Sequence, residues 1–318
     1  MRELRYREAI DEATRQAMAK DDRIFVMGVG VDDPKGIFGT TRGAFQQFGS
    51  HRVFDTPLSE AALTGIAIGA ALGGFHPLLV HARNDFMLLT MDQLVNNGAK
   101  WRYMSGGKLR VPLTIRAIIG RGWGQAAQHS QSLQAMFAHV PGLQVVMPAT
   151  PADAKGLLMA ALSAEAPVIC LEHRWLYEKT GPVLEEPYSI PLGRGIIVRQ
   201  GSDVTVAAVS YMVWESIQAA EVVAGEGIQA EVVDLRSVRP LDSALVGRSV
   251  AKTGRLVIAD TAWRSFGLSA ELAACIGEVC FSDLKAPIRR VALPDVPTPC
   301  SSALERIYYP GPNEIVAG

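Results

Sequence analysis

Short apolar runs rich in β-branched residues alternate along this chain with stretches of helical period. Residues 24–29, 78–81, 113–119, 143–147 and 168–171 read as strands of this kind. Runs that are apolar on both sides of the pleat must be covered on both faces. Their alternation with helices therefore predicts a parallel sheet packed between helical layers. The pattern dissolves between 174 and 202 into Gly181-Pro182, Pro187, Pro191, Gly193 and Gly195, breakers that leave no room for a long regular element. It then restarts, with strands over 204–209, 230–235, 256–260 and 288–292 and helices over 213–224, 242–251 and 269–279. The expected architecture is two doubly wound α/β domains, 1–180 and 201–318, joined by a linker over 181–200.

Other sequence features narrow the field. The length of 318 residues suits two domains of about 100 to 200 residues each. With 31 Lys+Arg against 32 Asp+Glu there is no basic excess for nucleic acid and no acidic tail, so small-molecule chemistry is expected. Cys170, Cys275, Cys280 and Cys300 form no Cys-x-x-Cys pair and read as buried free thiols of a cytoplasmic protein. Residues 1–23 are charged and of helical period, without the apolar core of a signal peptide. Residues 61–82 hold no Asp, Glu, Lys or Arg and imitate a membrane span of about 20 residues, but Gly73, Gly74 and Pro77 interrupt them. They read instead as a buried helix over 59–72, a turn and a short strand over 78–81.

Three places could carry chemistry. In the first, Asp55-Thr-Pro-Leu58-Ser-Glu60 turns from a strand end into the apolar helix. Glu60 is the one acidic residue between Asp55 and Asp85, at the strand end where open α/β sheets place ligands. In the second, residues 120–130 lie between a strand and a helix. Gly120 and Gly122 fit the start of a dinucleotide fingerprint, but Gln125 occupies the third glycine position and the next acid is Asp153, too far on for a ribose ligand. His129 stands just before Ser130, a candidate N-cap for a helix over 131–138, where a histidine could meet a carboxylate or a developing oxyanion. In the third, Phe86, within Arg83-Asn-Asp-Phe86-Met-Leu-Leu89, opens a helix expected to run to about Ser105 and could stack on an aromatic ligand. A further helix should start at Thr150, with Pro151 at its first position and Asp153 in its first turn.

Taken in order, several segments carry a family resemblance. They include Arg52-Val-Phe-Asp-Thr-Pro-Leu-Ser-Glu60, Tyr103-Met-Ser-Gly-Gly107, Gln128-His129-Ser-Gln-Ser132, Thr150-Pro-Ala-Asp-Ala-Lys-Gly156 and Val233-Asp-Leu-Arg-Ser-Val-Arg-Pro-Leu241. Together they resemble, nearly end to end, the beta subunit of thiamine-diphosphate-dependent 2-oxo acid dehydrogenases of the pyruvate and branched-chain type, and more distantly transketolase. The resemblance implies a transketolase-like pyrimidine-binding domain followed by a transketolase C-terminal-like domain. It implies that Glu60 hydrogen-bonds the aminopyrimidine nitrogen of thiamine diphosphate, that Phe86 packs on that ring, that Leu58 and Leu89 line the pocket and that His129 faces the substrate. It also implies a possible K⁺ site on the carbonyls of Leu113, Ala161, Leu162, Ala164 and Ala166.

The Mg²⁺ that holds the diphosphate is bound in such enzymes by a Gly-Asp-Gly segment and, about thirty residues on, an Asn, a set this chain lacks. The resemblance thus implies an alpha-type partner in an α2β2 heterotetramer, with a lipoyl acyltransferase as a further partner. Gly28-Val29-Gly30-Val31 stands where the family usually reads Gly-Glu-Asp-Val, and Leu89 replaces a polar residue of some relatives. A split transketolase or acyloin-forming synthase is the alternative activity.

Overall fold

The computed structural model describes residues 2–33, 35–120 and 124–318. The chain divides into two compact units, Met1–Ile119 with Met136–Leu192, and Gly120–Ala135 with Gly193–Gly318.

In the first unit the strands are β1 (Arg2–Arg5), β2 (Ile24–Gly28), β3 (Val53–Phe54), β4 (His76–His81), β5 (Thr114–Ile119), β6 (Gln144–Val146), β7 (Val168–His173) and β8 (Thr180–Val183). β1 and β8 pair antiparallel. The others run parallel in the order β6-β7-β5-β4-β2-β3. Every residue of β4, β5 and β7 is buried, as expected of parallel strands covered on both faces. At Gly28, φ is +152° and a Cβ would lie 2.3 Å from Val80 O, so only glycine lets β2 end this close to β4.

The helix Pro151–Ala161 starts where its signals place it. Thr150 Oγ1 accepts from Asp153 N at 3.1 Å, satisfying one of the open N–H groups, and Pro151 needs no such partner. This helix packs on Tyr6–Lys20, itself preceded by β1 where helical period alone was expected from the N-terminal sequence.

In the second unit the strands are β9 (Ile196–Arg199), β10 (Val204–Ala208), β11 (Ala230–Asp234), β12 (Ser237–Arg239), β13 (Leu256–Trp263) and β14 (Arg289–Leu293). Five of them form a sheet of order β14-β13-β10-β11-β9, parallel except for β9. Helices Tyr211–Ala224, Ser243–Thr253 and Leu268–Val279 connect the parallel strands, giving the expected doubly wound pattern. Among the described residues no helix is long and apolar enough to cross a membrane.

Three local expectations need correction. The helix Glu60–Leu72 is not buried all round: Ile66 is 60% exposed, and Ala62, Gly65 and Gly69 also face outward. The single helix expected from residue 86 to about Ser105 is instead a 3-10 helix, Asn84–Thr90, a π-helix, Gln93–Gly98, and a short α-helix, Trp101–Met104. Asn96 and Asn97 hydrogen-bond Asp92 and Gln93 one turn back, at 2.7 and 3.5 Å, and Gly98 adds a weak helix former. The thiols are free but not uniformly buried: Cys300 is exposed, Cys275 half-buried, and Cys280 caps its helix at the C-terminal end.

Candidate active site

The parallel strands of the first unit deliver their loops to one edge of the sheet, beyond the carboxyl ends of β2, β3 and β4. Two of these loops are tied together, since Gly30 N donates to Asp55 Oδ1 at 2.6 Å. From Asp55 the chain turns through Pro57 and enters the helix at Glu60, which occupies the first turn and is half-buried. Ser59 holds the N-cap position without a side-chain cap bond, so the carboxylate of Glu60 stands at the helix's open, positive end.

After β4 the chain forms the 3-10 helix Asn84–Thr90, which packs on Glu60–Leu72. Three residues per turn put positions i and i+3 on one face. Asn84, Met87 and Thr90 therefore turn inward and are fully buried, while Phe86 and Leu89 share another face, half-buried and 63% exposed respectively. Leu58, on the approach to Glu60, is 77% exposed. Glu60, Phe86 and Leu89 are thus carried by two elements packed on each other, with Leu58 on the approach to the first; Leu58 and Leu89 are exposed.

His129 belongs to the second unit and is half-buried. Its helix begins later than expected, at Gln134, so Ser130 is not the N-cap and His129 does not stand at a helix mouth. Residues 130–133 run instead as an irregular segment whose Ser130, Ser132 and Leu133 are buried, as is Gln134 at the start of the helix. Gly122, part of the glycine pattern read from the sequence, lies outside the described residues.

Leu113, Ala161, Leu162, Ala164 and Ala166 gather at the other end of the first sheet. The Leu113 carbonyl accepts from Val168 N at 2.9 Å, and Ala161 O from Ala164 N at 3.1 Å, where Pro151–Ala161 ends and β7 begins. Carbonyls at a helix C-terminus carry partial negative charge, and each retains a second lone pair.

Sequence reasoning passed over a polar run at the end of β4. His81, Arg83, Asn84 and Asp85 are all buried, and Asn84 Nδ2 donates to Asp85 Oδ2 at 3.2 Å. Burial lowers the His81 imidazole to a pKa of about 4, and its Nε2 has no hydrogen-bond partner among the described residues. The signal was available: the polar triplet Arg83-Asn84-Asp85 one residue beyond the strand, at the sheet edge where ligands bind.

Residues 2–180 match the family described as transketolase, pyrimidine binding domain, and residues 193–315 match transketolase, C-terminal domain. The chain is 43% identical, over 98% of its length and 94% of the relative's, to acetoin:2,6-dichlorophenolindophenol oxidoreductase subunit beta of Bacillus subtilis (strain 168). It is 41% identical to the mitochondrial pyruvate dehydrogenase E1 component subunit beta-2 of Oryza sativa subsp. japonica, covering 99% of this chain and 85% of that one. It belongs to the transketolase-like family of 2-oxo acid dehydrogenase beta subunits. A solved split gene transketolase, an inactive beta4 tetramer, superposes with a TM-score of 0.79 at 25% identity, covering 99% of this chain and 96% of the other.

The expected family and fold class are borne out. For a dehydrogenase beta subunit the exposed leucines have a physical reading. Leu58 and Leu89, exposed on elements that also carry the half-buried Glu60, offer apolar surface that a ring or another chain could cover. The residues present therefore fit one wall of a thiamine diphosphate site.

Proposed function

We propose that this chain is the cofactor-activating beta subunit of a heteromeric thiamine-diphosphate-dependent 2-oxo acid dehydrogenase, which decarboxylates a 2-oxo acid and passes the acyl group to lipoamide. The observation that carries this reading is Glu60 in the first turn of a helix packed against the 3-10 helix that carries Phe86 and the exposed Leu89, with the exposed Leu58 two residues before it.

When bound, thiamine diphosphate would supply a nucleophilic carbon and an electron sink for decarboxylation. Glu60 would hold a proton at the aminopyrimidine ring nitrogen and so help activate that carbon. Phe86 would pack against the aminopyrimidine, and Leu58 and Leu89 would keep water from it. His129 donates to the substrate carboxylate or to the oxygen that gains charge during reaction.

The chain has no Gly-Asp-Gly segment, so Mg²⁺ and the diphosphate are assigned to an alpha-type partner in an α2β2 assembly, with a lipoyl acyltransferase receiving the product. The carbonyls of Leu113, Ala161, Leu162, Ala164 and Ala166 would hold K⁺. Four free thiols support a reducing compartment, the cytoplasm.

A second reading, cleavage or formation of an acyloin or transfer of a two-carbon unit to a sugar, is supported by the relative named for acetoin and by the split transketolase neighbour. The two separate on products. The assembled enzyme, given thiamine diphosphate, Mg²⁺, a 2-oxo acid and 2,6-dichlorophenolindophenol, should release carbon dioxide and reduce the dye. A new carbon–carbon bond without dye reduction would favour the second reading, and neither activity from any donor would contradict both.

A further inference from the structure

The stretch between β5 and β6 is interrupted by a segment, Gly120–Ala135, that groups with the second unit although both flanking strands belong to the first. His129 lies on it, and the second unit grips the segment on both sides of that residue. On one side, Cys300 Sγ donates to Gly124 O at 3.3 Å. On the other, the amide of Gln134, fully buried, donates from Nε2 to Asp260 Oδ1 at 2.9 Å and to Thr261 Oγ1 at 3.1 Å.

Asp260 is itself fully buried, near the carboxyl end of β13. Its carboxylate accepts from Ala262 N at 3.2 Å through Oδ1 and from Ser269 N at 3.0 Å through Oδ2. All these groups present N–H to it, so the site calls for an acceptor on both oxygens. Burial raises the Asp260 carboxyl above its ordinary range, and these donors work against that rise. An amide at 260 would set an NH₂ against another donor and leave a buried bond unmade.

We propose that Asp260, acting through Gln134, is a positioning residue that fixes the backbone carrying His129. It holds the 130–134 run in place, so that His129, half-exposed at the edge of that run, presents its ring in one orientation. The inference rests on the reading of His129 as a substrate-facing group. Neither Asp260 nor Gln134 touches the substrate.

The test is a double-mutant cycle in the assembled enzyme, with the donor among pyruvate, 2-oxoisovalerate and acetoin that the wild type turns over fastest. Gln134→Leu removes the donor and keeps the shape, and Asp260→Asn removes one acceptor. Each should lower kcat/KM about 10- to 100-fold, the cost of misplacing a catalytic group by an ångström or so, with thiamine diphosphate affinity unchanged. In a His129→Ala background, Gln134→Leu should cost less than about twofold more, because the group it positions is gone. Full multiplication of the two losses, or wild-type kcat/KM in folded Gln134→Leu, overturns the proposal. Should Asp260→Asn fail to fold, Gln134→Leu still decides. A fully active His129→Ala enzyme overturns both the proposal and the role of His129. Glu60→Gln, assayed alongside, reports on the cofactor reading independently of either.

Discussion

Lys155, with no exposed surface, donates from Nζ to Glu12 Oε1 at 2.6 Å, joining the helices Pro151–Ala161 and Tyr6–Lys20. The same ammonium donates to Leu184 O at 2.7 Å and to Glu185 O at 3.0 Å, and Glu12 also pairs with Arg2. One buried cation thus secures the N-terminal strand, two helices and the turn that follows β8 within the first unit. Lys155→Met leaves Glu12 and two carbonyls short of a donor. It should destabilise the chain by about 3–5 kcal/mol, read as a drop in the urea midpoint at unchanged slope.

Thr150→Ala isolates a smaller contribution at the start of the same helix. Loss of the Oγ1 acceptor for Asp153 N should cost about 1 kcal/mol, and Thr150→Ser should restore most of it.

Two buried histidines make stability depend on pH. Burial lowers His76 and His81 from 6.5 to about 4, with Nε2 of His76 3.1 Å from Thr114 Oγ1. Above pH 6.5 both are neutral folded or unfolded, and their contribution is fully present. Between pH 6.5 and 4 the unfolded chain binds more protons, so stability is lost as the pH is lowered, by at most about 1.4 kcal/mol per unit for each histidine. Urea unfolding at pH 7.5, 6 and 5 should show this slope, and His81→Leu should reduce it.

Leu58→Ala separates ligand packing from folding. The side chain is 77% exposed, so the unfolding midpoint should move by no more than about 0.5 kcal/mol. The affinity of the assembled enzyme for thiamine diphosphate, by calorimetry, should fall roughly tenfold through lost apolar burial. A large stability loss with unchanged affinity would place Leu58 outside the cofactor wall.

Much of this was legible in the sequence. β4, β5, β7, β10 and β11 announce themselves because strands buried on both faces read as short, mainly apolar runs, even where a buried Arg116, Glu172 or Glu231 interrupts them. Thr150-Pro151 marks a helix start because capping is a local matter. The outward face of Glu60–Leu72 was hidden because a helix apolar on every side carries no sign of which side meets solvent. The 3-10 and π geometry of residues 84–98 was hidden because periods of three and of 3.6 cannot be told apart over two turns. The late start of the helix at Gln134 reflects a bond to a residue 126 positions away, which no local pattern encodes.

Glu60→Gln in the assembled enzyme tests the role of Glu60 most directly, since it keeps the side chain's shape and removes its exchangeable carboxyl proton. Dye reduction with the preferred donor should fall at least about 10²- to 10⁴-fold, the range of a lost acid–base group, while assembly with the partner is retained. Wild-type turnover by that variant would contradict the role assigned to Glu60.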